Sequence, residues 1–377
     1  MDEVFVKQYF CTFFYEKGES AYISIIEELK AVSEKHISIL LSAPGYQKNL
    51  SEIAKASSSD IDKDYWSKVT VSIFPETEIE NIIRKLCYVG RYGDTLRIIT
   101  FNRSSNIISD VIKIELLCEM QYKGKWDILR NESYMVAEIL KTVSLPKDIK
   151  PRNLLLQMEL FIFDHLRHNM NTHDIHLVQE VNQNPSLLME LFSLAYPADE
   201  GHEEEVPKDD AEKDFRAGIA QLAFNFIFHY HEVPCSDLSG KVDEKALSNY
   251  FEELKQQAEQ CHRTHILSMI VGRILGNFRE IEDYPSDILC RFVEYFNDDN
   301  VDTEIRCAIS NRRGMTSRAY FEGGSIERNH VETFTKYRDK ARLRSPRLTR
   351  IFDNLIKEYQ QMAEKEDNRA IFLDLTN

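Results

Sequence analysis

Apolar positions in this chain recur at the spacing of α-helices. Between Ile266 and Phe278, apolar pairs repeat every four residues and follow one face of a helix. A similar stripe follows Asp243, a predicted N-cap, and others follow Pro285 and the pair Ser345-Pro346. Only 13 glycines and 10 prolines interrupt the chain, so the connections between these stripes are short. The pattern predicts consecutive amphipathic helices.

The first half of the chain has the same period in segments that come in pairs. These segments are Ile25–Leu29 with Ile37–Leu41, Ile79–Leu86 with Leu96–Ile99, and the strongly apolar Leu154–Leu166. Helix pairs of roughly 35–45 residues are typical of solenoids of the tetratricopeptide (TPR) or HEAT kind. The sequence therefore predicts an all-α, helical-repeat (TPR/HEAT-like) array in two lobes. A strand at Val69–Phe74 or at Val4–Tyr15 is the alternative that the pattern leaves open.

An acidic stretch from Ala198 to Asp214 divides the two lobes. It contains nine acids, two lysines, Gly201 and Pro207. Such a composition cannot bury enough apolar surface to offset the entropy of ordering. We expect a lobe over residues 1–197, an acidic linker or loop over 198–214, and a C-terminal helical lobe over 215–377.

Composition is consistent with a soluble, folded protein. The formal net charge is −15, but the 43% hydrophobic and 11% aromatic content excludes a disordered chain. No apolar run reaches the roughly 18 residues that a transmembrane helix needs, and the N-terminus lacks a basic region followed by an apolar one. The seven cysteines are scattered without a Cys-x-x-Cys pair. These features predict a cytoplasmic protein without a membrane contact.

Charge is unevenly distributed, because residues 306–350 are basic in an acidic chain. This basic segment contains 12 Lys or Arg and 4 acids, which gives 12 − 4 = +8, and the rest of the chain carries −23. Its glycines permit exposed backbone amides just before a helix predicted to begin near Ser325, and its arginines add bidentate donors. The candidate residues for binding an anion or a partner are Arg312, Arg313, Gly314, Arg318, Gly323, Gly324 and Arg328.

Three interpretations of the basic segment remain open. The arginines could pair with Glu322, Glu327 and acidic helix surfaces and so hold a long loop in place. They could instead contact nucleic acid, or a protein partner. Aromatic residues are sparse around the glycines of this segment, where Tyr320 and Phe321 lie, which weakens the case for single-stranded nucleic acid.

Motifs that carry chemistry are weak. The pairs His165/His168 and His173/His176, and the group Cys261, His262 and His265, have spacings that metal sites use, but polar helix ends explain them equally simply. Arg167 and His173 match the loose Arg-x(4–6)-His spacing of helical ribonucleases of the HEPN type, a spacing that this many arginines and histidines produce by chance. No nucleotide-binding or hydrolase motif is present. We therefore expect no catalytic residue, no metal and no cofactor.

Scattered positions along most of the chain share an order with a group of bacterial proteins. The positions include Gly90-Arg91-Tyr92, Asp237–Asp243, Ile270–Leu275, Tyr284-Pro285, Asn311–Gly314, Glu322–Gly324 and Glu327-Arg328. This order resembles the C-terminal helical region of large bacterial proteins that often carry an upstream nucleotide-binding module of the NACHT or STAND type, some of them antiphage defence proteins. The resemblance implies a helical sensor or scaffold arm whose signalling chemistry lies in a separate part.

Together these observations predict a non-enzymatic recognition or scaffold module, the sensor or assembly part of a bacterial defence or signalling system. Its expected partner is a protein or an attached effector or NTPase module. The alternative is a helical protein that binds nucleic acid through residues 306–350, including a HEPN-like ribonuclease.

Overall fold

The computed structural model describes residues 3–30, 36–72, 74–101, 107–202, 207–237, 239–279, 283–312, 314 and 322–375, with side chains described up to residue 371. All regular structure in these ranges is helical, and the only β feature there is one antiparallel bridge between Ser236 and Val242. The all-α prediction is confirmed. The strand alternative for Val4–Tyr15 is wrong, because these residues lie in a helix from Glu3 to Lys17.

The chain forms two compact units, Met1–Asn171 (unit 1) and Thr172–Asn377 (unit 2). The α-helices of unit 1 are α1 Glu3–Lys17, α2 Glu19–Lys30, α3 Ile37–Ser42, α4 Lys48–Ser57, α5 Ser59–Lys68, α6 Ile79–Tyr88, α7 Tyr92–Phe101, α8 Asp110–Tyr122, α9 Trp126–Asn131, α10 Ser133–Leu140 and α11 Ile149–Leu166. Those of unit 2 are α12 His176–Gln183, α13 Pro185–Ala195, α14 Asp210–His229, α15 Glu244–Gln260, α16 Leu267–Gly276, α17 Asp287–Phe296, α18 Asp299–Asn311, α19 Ser325–Ala341 and α20 Pro346–Leu375. Each unit has its own core, built around Trp66 and Tyr92 in unit 1 and around Phe226 and Phe352 in unit 2.

Helices of unit 1 lie in two rows between residues 79 and 166. In one row, α8 packs against α11 on one side and reaches α6 on the other, where Arg84 donates to Glu115 at 3.3 Å. In the second row, α7 packs against α10, and Thr100 Oγ1 donates to the carbonyl of Met135. The chain thus passes from α6 in the first row to α7 in the second, and from α8 to α10 by way of the short helix α9.

Two turns of unit 1 repeat the same hydrogen bonds 34 positions apart. After α6, the amide of Gly90 donates to the carbonyl of Cys87 and the amide of Arg91 donates to Leu86, both at 2.9 Å. After α8, the equivalent bonds run from Gly124 to Gln121 and from Lys125 to Met120, also at 2.9 Å. Both glycines have positive φ, +81° and +65°, as this helix-ending motif requires. Tyr88 and Tyr122 end the two helices at the same position of the motif.

Unit 2 contains a close helix contact that depends on small residues. Gly272 and Gly276 lie one turn apart on α16 and face α18. A Cβ on Gly272 would lie 2.4 Å from Cβ of Glu304, and one on Gly276 would lie 2.5 Å from Cβ of Ala308. The absence of side chains at these two positions lets the helix backbones approach each other closely.

The division between the units lies earlier in the chain than the predicted boundary at residue 197. Helix α13 packs on α14 and α15, so both sides of the acidic stretch belong to unit 2. Arg263 reinforces this packing by donating to the carbonyls of Ser193 and Tyr196, at 3.1 and 3.2 Å. The acidic stretch therefore connects two helices within one unit.

The acidic stretch also ends sooner than predicted, because α14 begins at Asp210. The side chain of Asp209 accepts from the amide of Glu212 at 2.7 Å, and the side chain of Glu212 accepts from the amide of Lys208 at 2.8 Å. This reciprocal capping satisfies amides at the helix start, where acidic side chains are also favoured by the helix dipole. Residues 203–206 lie outside the described part of the chain.

Several helix starts agree with the sequence. The side chain of Asp243 caps α15 by accepting from the amide of Ala246 at 3.0 Å, and α20 begins at Pro346 after Ser345. Helix α19 begins at Ser325, as the glycine pair before it predicts. Helix α17 begins two residues later than Pro285, because Ser286 is its cap. No helix in the described ranges is long and apolar enough to cross a membrane.

Candidate functional site

The basic segment, residues 306–350, is distributed over the end of α18, all of α19 and the start of α20. Two of its candidate residues, Arg313 and Arg318, lie outside the described residues. Gly314 is exposed, has φ +64°, and would meet nothing within 4 Å if it carried a Cβ. The remaining candidates, Arg312, Gly323, Gly324 and Arg328, do not converge on one open site, as their contacts demonstrate.

The predicted anion-binding features at Gly323, Gly324 and Arg328 come together around a carboxylate of the chain itself. The amide of Gly324 donates to Asp367 Oδ1 at 2.9 Å. The guanidinium of Arg328 donates to both carboxylate oxygens of Asp367, at 2.7 and 3.2 Å. The start of α19 thus binds a negative charge, as its amides and arginine predict, and this charge comes from α20.

Close packing explains both glycines of this contact. A Cβ on Gly323 would lie 2.6 Å from Oδ1 of Asp367, and Gly323 has φ +57°. A Cβ on Gly324 would lie 2.4 Å from the carbonyl oxygen of Ala363 on α20. The glycine pair is therefore needed where the start of α19 meets the backbone of α20.

The hydrogen bond from Arg328, followed by that from the amide of Gly324, holds the pKa of Asp367 below its ordinary value of 3.8. The same hydrogen bond raises the pKa of Arg328. Both groups are consequently ionised at neutral pH. The pair is partly exposed, so its contribution to stability is screened by solvent.

Other basic residues of the segment also bind acids of unit 2. Arg306 pairs with Glu358 at 2.7 Å, and Arg344 pairs with Asp287 at 2.8 Å.

Two further arginines of the segment share a pair of acids. Arg347 and Arg350 both contact Asp299 and Asp302, at 2.8 to 2.9 Å. Asp302 is buried and Arg347 is mostly buried, so this part of the network joins α18 to α20 in the protein interior.

Arg312 lies at the end of α18 and is directed inward. One guanidinium nitrogen donates to the carbonyl of Phe278 at 2.9 Å, and the group lies 5.8 Å from the ring centre of Tyr284. A carbonyl and an aromatic face are both suitable neighbours for a partly buried guanidinium. These contacts hold the end of α18 against the chain that follows α16.

The histidines with metal-like spacing are divided between the two units. His165 and His168 belong to unit 1, whereas His173 and His176 belong to unit 2, where His173 lies 3.3 Å from Asp174. In unit 1, Arg167 pairs with Asp164 at 2.7 Å. Within the described residues, no group of three or more His, Cys, Asp or Glu side chains has the geometry to hold a metal ion.

The second histidine group fastens the start of the acidic stretch to the turn before α16. The carboxylate of Asp199 accepts from the amide and hydroxyl of Thr264, both at 2.9 Å, and contacts His265 Nδ1. The hydrogen bond from His265 is the main reason that the pKa of Asp199 is far below its ordinary value. The rings of His202 and His262 stack with centres 3.7 Å apart. These residues form a local tie between two parts of unit 2.

An open and mainly apolar groove lies on unit 1, between α8 and the start of α11. This α8–α11 groove has a volume of about 700 Å³. Its lining residues come from α8, from α11 and from the loop before α11: Val111, Ile114, Glu115, Cys118, Glu119, Tyr122, Pro146, Lys147, Asp148, Pro151 and Leu154. A smaller groove of about 270 Å³ lies on the other side of Glu115 and Glu119, between α6 and α8.

Exposed apolar side chains make this groove unusual for the surface of a helical unit. Tyr122 is 92% exposed and Val111 is 62% exposed, although α8 already buries Ile112, Leu116, Leu117 and Met120 on its other side. Helix α8 is therefore apolar on nearly all faces. In a folded domain, such a helix is either surrounded by protein or presents a face for a partner.

Sequence reasoning missed the groove, because apolar residues on all sides of α8 look like core residues. A signal was present in Val111 and Tyr122, which are apolar but lie outside the stripe of the buried residues of α8. Pro146 in the loop before α11 and Pro151 in the first turn of α11 also line the groove.

The thiol of the groove is protonated, and two of the groove's acids have cationic neighbours. Burial raises the pKa of the Cys118 thiol to about 11, so it remains protonated and weakly nucleophilic at neutral pH. Arg84 reaches Glu115 at 3.3 Å, and Lys123 reaches Glu119 at 2.6 Å. The arrangement offers an apolar floor with a charged margin.

Comparison with known proteins gives no match: no protein-family model fits the sequence, and no curated protein or solved structure is similar to it.

Proposed function

We propose that this chain is a non-enzymatic helical-repeat recognition and scaffold module that binds a protein partner through the α8–α11 groove. The observation that carries the proposal is this groove, where Tyr122 and Val111 stand exposed on a helix that also faces the core. Burying such side chains against a partner would contribute about 1.5–3 kcal/mol each.

The repeat interpretation is supported by the two equivalent turns of unit 1. The helices that end at Tyr88 and Tyr122 are closed by the same bonds, 34 positions apart, a common length for a repeated helix pair. Rows of equivalent helices present a continuous surface, and both grooves lie along the row of α6, α8 and α11. On the family resemblance, the partner belongs to a bacterial defence or signalling system.

The nucleic-acid alternative has less support from the contacts of the basic segment. Arg306, Arg328 and Arg344 each bind an acid of unit 2, and Arg312 binds a carbonyl. Cations engaged in this way must give up their partners before they bind phosphates. The interpretation that the segment holds the fold together therefore has the stronger support.

Site-specific photo-crosslinking in the source cells tests the proposal. A photoreactive phenylalanine at position 122 should capture a polypeptide that the same group at position 134 does not, since Tyr134 is exposed on α10 away from the groove. The captured protein, once purified, should bind the native chain, and the double variant Val111→Ser/Tyr122→Ser should bind at least tenfold more weakly. Equal capture at both positions, or binding that the double variant leaves unchanged, would overturn the proposal.

A further inference from the structure

We draw no further inference here: the strongest candidate, the exposed aromatic face of helix α1 at Phe5 and Tyr9, carries no proposal because nothing in the described part of the chain shows what covers it.

Discussion

The basic segment of unit 2 and the α8–α11 groove of unit 1 use their side chains in opposite ways. The basic segment is conspicuous in the sequence, yet Arg328, Arg344 and Arg347 are bound to acids of their own unit. The groove is inconspicuous in the sequence, yet Val111 and Tyr122 are exposed to solvent. The comparison shows that clustered charges can stabilise the fold through internal ion pairs. Apolar residues that look like core residues in the sequence can instead be exposed on the surface.

The strongest test of this contrast is a methyl group added at Gly324. The Cβ of Gly324→Ala would overlap the backbone of Ala363 on α20. The start of α19 and the backbone of α20 therefore cannot both keep their positions. We expect a loss of about 1–3 kcal/mol in the free energy of unfolding of unit 2. Hydrogen exchange of the amides of α19 and α20 in increasing urea measures this unit separately from unit 1.

Gly218→Ala is the matched control for this substitution. Gly218 lies within α14, and a Cβ there would meet nothing within 4 Å. Because alanine favours the helix by about 1 kcal/mol over glycine, the control should be neutral or stabilising. Equal effects of the two substitutions would show that the glycines before α19 are not packing residues, and the contrast between the regions would lose its basis.

The second test uses Arg312→Ala. Loss of the hydrogen bond to Phe278 and of the contact with Tyr284 should lower the unfolding free energy of unit 2 by about 1–2 kcal/mol. Affinity for a labelled single-stranded RNA between 50 and 200 mM salt should not change. A large fall in RNA affinity with a flatter salt dependence, at unchanged stability, would instead favour the nucleic-acid interpretation.

The third test is the pH dependence of the contact between Arg328 and Asp367. Since the folded pKa of Asp367 lies below 3.8, its carboxylate stabilises the folded protein above about pH 4, and this contribution is lost as the pH falls further. Asp367→Asn should therefore destabilise the protein at pH 7 and lose less additional stability than the native chain on acidification. Urea midpoints at pH 7, 5 and 3 measure this effect, and parallel curves for the two proteins would contradict it.

The smallest effect on stability is expected in the groove. Tyr122→Ser removes a side chain that is 92% exposed, so the unfolding free energy should change by no more than about 0.5 kcal/mol. Thermal unfolding of the native and substituted chains checks this value. A clear destabilisation would mean that Tyr122 belongs to the packed structure, and it would remove the difference between the groove and the basic segment.

The helices were predictable because local sequence rules agree with the tertiary packing. Asp243, Ser345-Pro346 and the glycine pair before Ser325 mark helix starts that the structure contains. The start of α14 was missed, because the abundance of acids near Asp209 suggested a solvated loop. The Asp-x-x-Glu spacing of Asp209 and Glu212 was the more informative feature.

The candidate site was less predictable, since its character depends on contacts between distant residues. The amide of Gly324 and the guanidinium of Arg328 favour an anion, as predicted, but only the fold reveals that Asp367, about 40 residues later, is close enough to supply it. Likewise, the exposure of Val111 depends on where the start of α11 lies relative to α8, which the sequence of α8 does not reveal. Periodicity along one helix cannot indicate which of its apolar sides lacks a neighbour.

The matching turns at Gly90 and Gly124 restrict how a chain of this kind can change in length. Removing or adding 34 residues between these turns would join one helix ending to another that is closed by the same hydrogen bonds, so we expect the following helix to keep its orientation. Any other change within a helix rotates the rest of that helix by about 100° per residue and turns its buried side toward water. On the proposed repeat organisation, we expect duplication and deletion in the gene to be tolerated in steps of whole helix pairs, with the surface of the row retained.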